Sequence, residues 1–295
     1  MGEYILEMKQ IVKQFPGTLA LDHVDFNLRE GEVMALIGEN GAGKSTLMNV
    51  LMGVYSPDSG EVILNGKKIE NKSPYEALQR GIGMVPQELN LVPDISIAEN
   101  IFLGNHQKKS MRIDWNTTEK EAAKVMEKLN VKVDPKEKVG KISAAYQQLV
   151  SIARTIAAGS KIIVLDEPTA ALTIVETEQL FENIRLLKAE GCSIIMITHH
   201  LNEVEELADR VTIMRDGRLV KACNIGEITI DEMIYYMANE KVEKFARVER
   251  ETGDEVLMSI EHFTRKGEFQ DVSIQVKKGE ILGIAGLIGS GRTEL

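Results

Sequence analysis

"VMALIGENGAGKSTLMNVL", Val33 to Leu51, decides how this chain is read. It opens on a continuous apolar run, the pattern of a strand buried on both faces of a parallel sheet. It closes with Leu47, Val50 and Leu51 on one helical face, so a helix is expected from about Lys44. Between the two stand Gly38, Gly41 and Gly43, followed at once by Lys44, Ser45 and Thr46. Glycines let the backbone close round a phosphate chain with its N–H groups inward, and the following helix presents its positive end. Lys44 is then placed to reach the terminal phosphates, and Ser45 to put a hydroxyl on a magnesium ion. "GENGAGKS" fits G-x-x-x-x-G-K-[ST], and the flanking strand and helix are the context that separates a phosphate loop from a bare glycine turn. The candidate ATP contacts are therefore Gly38, Glu39, Asn40, Gly41, Ala42, Gly43, Lys44, Ser45 and Thr46.

Outward from this loop, "EVILNGKKI" predicts a hairpin turning at Asn65-Gly66. Ser73-Pro74 reads as a cap and first-turn proline, with Gly81 stopping a short helix. The middle of the chain is helical: Ala122, Met126 and Leu129 share one spacing, as do Ala145, Leu149, Ile152 and Ile156. Strand-type runs return at Ile162–Leu165 and Ser193–Ile197, separated by a helix marked by Leu180, Ile184 and Leu187. Such alternation implies βαβ units and a mainly parallel sheet. "VTIMRDGRLV" predicts a further hairpin at Asp216-Gly217, and Thr229 with Glu232 a capping box.

"KIIVLDEPTAAL" supplies the acidic partner of the loop. Asp166, at the end of a buried strand, can hold magnesium, and Glu167 can polarise the water that attacks a γ-phosphate. The bulk composition supports a real hydrophobic core. Of the 295 residues 43% are hydrophobic, and no apolar run approaches the roughly 20 residues of a membrane span. The start, "MGEYILEMKQ", does not read as a secretory signal. Cys192 and Cys223 are too few for a disulfide framework and read as cytosolic thiols. His23, His106, His199, His200 and His262 show no metal-ligand spacing with them. A net charge of −10 weighs against nucleic acid as a partner.

The chain also repeats itself. Gly38 corresponds to Gly286, a displacement of 248 residues (286 − 38). The same displacement pairs Gly41 with Gly289, Gly43 with Gly291, Ser45 with Thr293, and Gly31-Glu32 with Gly279-Glu280, and it sets Phe263 opposite Phe15. A fixed displacement over about thirty residues is read as a duplicated domain. "NEKVEKFARVERETGDE", Asn239 to Glu255, is read as a solvated linker. The expected organisation is a first domain over 1–222 with a helical part at about 90–158, a linker over 223–253, and the beginning of a second domain over 254–295. That last segment ends inside its own glycine loop, so the sequence reads as a fragment of a longer protein. Without the rest of its domain it is expected to be partly disordered or to serve as edge structure.

The order of these motifs carries a family resemblance. The phosphate loop, "VPQE" with Gln87, "ISAAYQQ", "VLDEPT" and "ITHH" with His199 resemble an ATP-binding cassette ATPase. The resemblance implies an α/β phosphate-loop fold with a parallel-sheet core, an antiparallel β subdomain and a helical subdomain. It implies ATP and Mg2+ as ligands, with Phe15 stacking on adenine and Gln87 sensing both magnesium and a membrane partner. His199 would contact the γ-phosphate. "VKQFPGTLALDHVDF", "VPQELNLVPDISIAENIFLG" and "GEILGIAGLIGSGRTEL" further resemble the fused double-cassette ATPases of bacterial monosaccharide importers. That subtype implies permease subunits and, through them, a sugar-binding protein as partners, a second cassette in the same chain, and a cytoplasmic location on the inner face of the membrane.

Three departures stand out. The family's L-S-G-G-Q signature appears as Ile142-Ser143-Ala144-Ala145-Tyr146, which keeps the Ser143 hydroxyl but adds two β-carbons and replaces the glutamine. An aspartate usual further on is missing from Ala170-Ala171-Leu172-Thr173. In the second glycine loop Arg292 stands for the lysine, and its planar fork does not reproduce a compact ammonium. The alternative reading is a soluble double cassette acting as an ATP-gated switch on the ribosome, and a third is a DNA-repair ATPase. The first should carry a long basic helical linker and intact signatures, the second coiled-coil heptads or cysteine zinc modules. The sequence has none of these.

Overall fold

The computed structural model describes residues 4–105, 108–109, 112–238, 253–286 and 290–295. They divide into two compact units at Val242/Glu243. His106, Gly289 and nearly all of the charged stretch read as a linker lie outside the described residues.

The first unit begins with two long strands, β1 (Tyr4–Phe15) and β2 (Thr18–Arg29), then β3 (Val33–Ile37) and α1 (Lys44–Leu51). The hairpin β4 (Ser59–Leu64) and β5 (Lys67–Ile69) follows, then α2 (Pro74–Gln79) and β6 (Ile82–Val85). Next come α3 (Ile97–Ile101), the short pair β7 (Lys108–Lys109) and β8 (Arg112–Ile113), α4 (Trp115–Lys128) and α5 (Ala144–Ala157). The chain returns through β9 (Ile162–Asp166), α6 (Ile174–Ala189), β10 (Ser193–Ile197) and α7 (Leu201–Leu207), and the unit ends with β11 (Arg210–Arg215), β12 (Arg218–Asn224) and α8 (Ile230–Ala238).

These strands form two principal sheets. One runs β2-β1-β4-β5 and is antiparallel throughout; the other runs β12-β11-β3-β10-β9-β6. In the second, β11, β3, β10, β9 and β6 are parallel and β12 is an antiparallel edge. Every residue of β3 and β10 is buried, which is why neither alternates in sequence. One core, with Leu6, Met8, Phe26, Leu36, Leu47 and Met214, fills one side of the parallel sheet; another, with Val85, Ile152, Ile163, Phe181 and Ile194, fills the other.

Local chemistry sets the ends of the elements. Asn65 and Gly66 have φ of 50° and 71°, as do Asp216 and Gly217 at 51° and 73°, the left-handed pairs that a two-residue hairpin needs. Ser73 caps α2 with Pro74 at its first position. Thr229 and Glu232 bond reciprocally at the start of α8. Helices α3, α4 and α5 pack on one another between β6 and β9. Arg154 of α5 donates to the carbonyls of Asn90 and Asn100, each at 3.1 Å, and so ties the segment after β6 to the helix.

The second unit contains β13 (Val256–Arg265) and β14 (Phe269–Lys277), an antiparallel pair forming a sheet of its own, not edge structure as expected. Its register reproduces that of β1 and β2. Val256 faces Lys277 as Tyr4 faces Arg29, Ile260 faces Ile274 as Met8 faces Phe26, and Arg265 faces Phe269 as Lys13 faces Leu21. Irregularities recur too: Gln10 and His23 have φ of 51° and 50°, His262 and Asp271 of 50° and 53°. The amide of Gln10 donates to Asp25 at 2.8 Å, and that of His262 to Ser273 at 3.0 Å. This correspondence corrects one expectation. Phe263 faces Val272 as Ile11 faces Val24, so Phe263 takes the place of Ile11 and not of Phe15. The displacement is 252 on the first strand (263 − 11) and 248 on the second (272 − 24), so the second hairpin has a turn four residues shorter. A constant displacement cannot register a deletion in a turn, because the strands on either side keep their pairing.

Candidate nucleotide site

The loop between β3 and α1 lies at the C-terminal ends of the parallel strands, where open α/β sheets bind ligands. A cavity of about 500 Å³ opens there, lined by Asn40, Gly41, Gly43, Lys44, Ser45, Thr46, Gln87, Asp166 and Glu167 among others. Two glycines make the loop's course possible. A β-carbon on Gly38 would lie 2.3 Å from the carbonyl oxygen of Met214. One on Gly43, at φ +99°, would lie 2.7 Å from that of Ala20. The loop is thus pressed against its neighbours on one side and leaves its concave side open, a cradle sized for backbone contact with an anion.

Lys44 is 8% exposed and donates to the carbonyls of Gly38 and Glu39, both at 2.8 Å. Burial holds its ammonium below the usual lysine range, while Glu167 and then Asp166 pull it back up. Asp166 ends β9 in the opposite state. Burial first, and the Glu167 carboxylate next, push its pKa above the usual carboxylate range, against the pull of Lys44. A polyvalent cation beside the Asp166 carboxylate would relieve that cost, and Ser45, Gln87 and Asp166 offer the hard oxygen donors that magnesium takes.

Glu167 is the meeting point. Gln87 donates its side-chain amide to one carboxylate oxygen at 2.8 Å, and Nδ1 of His199 stands 3.1 Å from the other. The Glu167 backbone sits at φ +44°, a left-handed conformation that costs a non-glycine residue about 1–3 kcal/mol. It is held there in part by its own N–H, which donates to the carbonyl of Ile197 at the end of β10 at 2.9 Å. Strain of this kind is kept where the surroundings fix a side chain for use. His199 also borders an adjoining cavity of about 550 Å³ with Gly38, Glu39, Asn40, Glu167 and Met237.

Not every residue singled out from sequence comes to this place. Phe15 is half-buried and packs edge-on against Tyr55, centroids 5.1 Å apart, with the Lys13 ammonium 5.6 Å from its ring; it does not line the cavity. Thr18, Leu19 and Ala20 of the following strand do. Ser143, Ala144, Ala145 and Tyr146 begin α5, where Ser143 accepts the Tyr146 amide at 3.4 Å, and they too lie off the cavity. Across from Ser143, the Glu176 carboxyl is held low chiefly by the Thr173 amide and hydroxyl. Asp216 and Gly217 line the cavity, although in sequence they signalled only a turn. The Gly217 amide donates to the carbonyl of Ala42 at 3.2 Å, so this turn buttresses the phosphate loop. Only the fold brings it there.

Fold and cavity together define an ATP-binding cassette, and the chain belongs to the ABC transporter family, whose model matches residues 21–170. A ribose import ATP-binding protein, RbsA 1, of Rubrobacter xylanophilus is 45% identical over 292 residues, covering 99% of this chain and 58% of that protein. A ribose import ATP-binding protein of Caldanaerobacter subterraneus subsp. tengcongensis is 45% identical over 294 residues, covering 99% and 59%. The chain therefore spans under three-fifths of these relatives' length. Among solved structures, the ADP conformation of MJ1267, an ATP-binding cassette of an ABC transporter, matches with a TM-score of 0.72 at 29% identity, covering 81% of this chain and all of that one.

Proposed function

We propose that this chain carries the ATP-hydrolysing site of a bacterial monosaccharide importer, the first unit forming the first of two cassettes, which runs on through β12 and α8 past the boundary expected at 222, and 254–295 the beginning of the second. The observation that carries the reading is the Glu167 carboxylate, bonded by Gln87 and approached by His199 at the rim of the glycine-loop cavity. The names of the relatives, ribose import ATP-binding proteins, support the class of cargo. The repeated hairpin register supports the second cassette.

The loop amides of Gly38 to Thr46 and the Lys44 ammonium hold the β- and γ-phosphates. Ser45, Asp166 and Gln87 would hold magnesium, which when bound would supply charge neutralisation at the phosphate oxygens. Glu167 accepts a proton from water as its oxygen bonds to the γ-phosphorus, and the bond to the β–γ bridging oxygen breaks to leave ADP and phosphate. His199 orients the transferred group and holds Glu167 in place. Ser143 to Tyr146 serve a nucleotide bound by a partner cassette, and Gln87 reports the site's state to permease subunits. The protein then works on the cytoplasmic face of the membrane, serving a sugar-binding protein through the permease. Among the described residues no helix is long and apolar enough to cross a membrane.

Glu167→Gln tests the central assignment. It keeps the size of the side chain and removes the base, so Mg-ATP binding should persist while hydrolysis in the assembled transporter slows at least about tenfold. Lost ATP binding with normal turnover in the bound fraction would reverse the roles.

A further inference from the structure

We propose that Glu203 is a positioning residue for ATP hydrolysis, one carboxylate that locks Glu167 and His199 into a common geometry. It stands in the first turn of α7. One of its oxygens accepts the hydroxyl of Thr169 at 2.7 Å and the other accepts that of Thr198 at 3.1 Å. Both threonines are buried, at 7% and 1% exposure. Thr169 lies two residues after Glu167, and Thr198 immediately precedes His199. Glu203 thus joins the two loops that carry the interacting pair.

The direction of these bonds is set by the surroundings. Thr198 Oγ1 accepts the amide of His200 at 3.0 Å, so its own hydrogen is free to point at Glu203. An ionised carboxylate accepts from both hydroxyls at once, which no apolar side chain can do. On the opposite side the Glu167 amide is tied to Ile197, the residue before Thr198. The left-handed Glu167 backbone is therefore flanked by a bond at its own N–H and another two residues on, and both lead to the segment that presents His199. A helix-dipole role for a first-turn glutamate would require neither hydroxyl.

This inference rests on the hydrolytic reading of Glu167 and His199. Its test is steady-state hydrolysis by the full-length protein at limiting and saturating Mg-ATP. Glu203→Met should lower kcat about tenfold and leave KM within about twofold, since the glycine loop is untouched. Glu203→Gln should keep at least about half of kcat, because its amide oxygen can accept from Thr198 while its NH2 donates to a turned Thr169 hydroxyl. Thr169→Val, which removes one arm without changing size, should lower kcat in the same direction and decides the matter if Glu203→Met does not fold. In a His199→Ala background Glu203→Met should have little further effect on kcat, since coupled residues are not additive. An unchanged kcat in Glu203→Met, or an equal fold-loss in both backgrounds, overturns the proposal. If Glu167→Gln and His199→Ala also leave hydrolysis untouched, it is the reading beneath it that has failed.

Discussion

Replacing Gly43 by alanine should cost the protein both stability and nucleotide, and the structure separates the two sources of the loss. Gly43 precedes α1 at φ +99° and ψ 0°. A left-handed conformation costs an L-residue about 1–2 kcal/mol. The new β-carbon would also stand 2.7 Å from the carbonyl oxygen of Ala20, 3.1 Å from Leu21 and 3.2 Å from Met214. Backbone cannot retreat as a flexible side chain can, and overpacking of this kind costs about 1–3 kcal/mol. Together these give a loss of roughly 2–5 kcal/mol, or upwards of about 4 °C in Tm for a domain of this size. Gly41→Ala is the internal control. Gly41 sits at φ +86° with nothing within 4 Å of its β-carbon position, so only the conformational cost applies and about 1–2 kcal/mol should be lost. Denaturant unfolding of the two variants should differ by about 1–3 kcal/mol. Relief of the Gly43 clash must shift the loop that places Lys44, so calorimetry should find Mg-ATP at least tenfold weaker, about 1.4 kcal/mol. A Gly43→Ala protein as stable as Gly41→Ala, with wild-type affinity for Mg-ATP, would refute the account of the loop as a cradle pressed against β2.

Two further outcomes follow from the charges of the site. Lys44→Ala should weaken Mg-ATP by at least an order of magnitude while changing nucleotide-free stability by no more than about 1 kcal/mol, because the two carbonyl bonds it gives up are balanced by release of a buried charge. Unchanged affinity in calorimetry, with unchanged Tm, would remove Lys44 from the site. Asp166→Asn should raise the Tm of the nucleotide-free protein at pH 7. The folded-state pKa of Asp166 lies above 3.8, so its stabilising share is full only below the unfolded value and is lost as pH rises through the folded one. The advantage of asparagine should therefore shrink on acidification toward pH 4. A variant less stable than wild type at pH 7 would mean that the pull of Lys44 outweighs burial.

What the sequence determined by itself is what short-range chemistry controls. A phosphate loop is contiguous, so "GENGAGKST" between an apolar run and a helical face was sufficient to place β3 and α1. Two-residue hairpins at Asn65-Gly66 and Asp216-Gly217 and the capping box at Thr229 and Glu232 are equally local. Asp166 and Glu167 were legible because two carboxylates directly follow the apolar run of a buried strand. What only the tertiary structure decided depends on which strand neighbours which. The order β3-β10-β9-β6 brings Gln87 and His199 to opposite oxygens of Glu167, across sequence separations of 80 and 32 residues. Phe15 turns toward Tyr55, and the Asp216-Gly217 turn moves from mere punctuation to a support of the loop. Glu203 carried no sequence signal beyond a first-turn acid, because its two partners lie in segments that meet only when the sheet forms. The four-residue deletion that sets Phe263 on Ile11 was hidden for a related reason. Strand register is a property of pairs, and a single line of residues does not contain it.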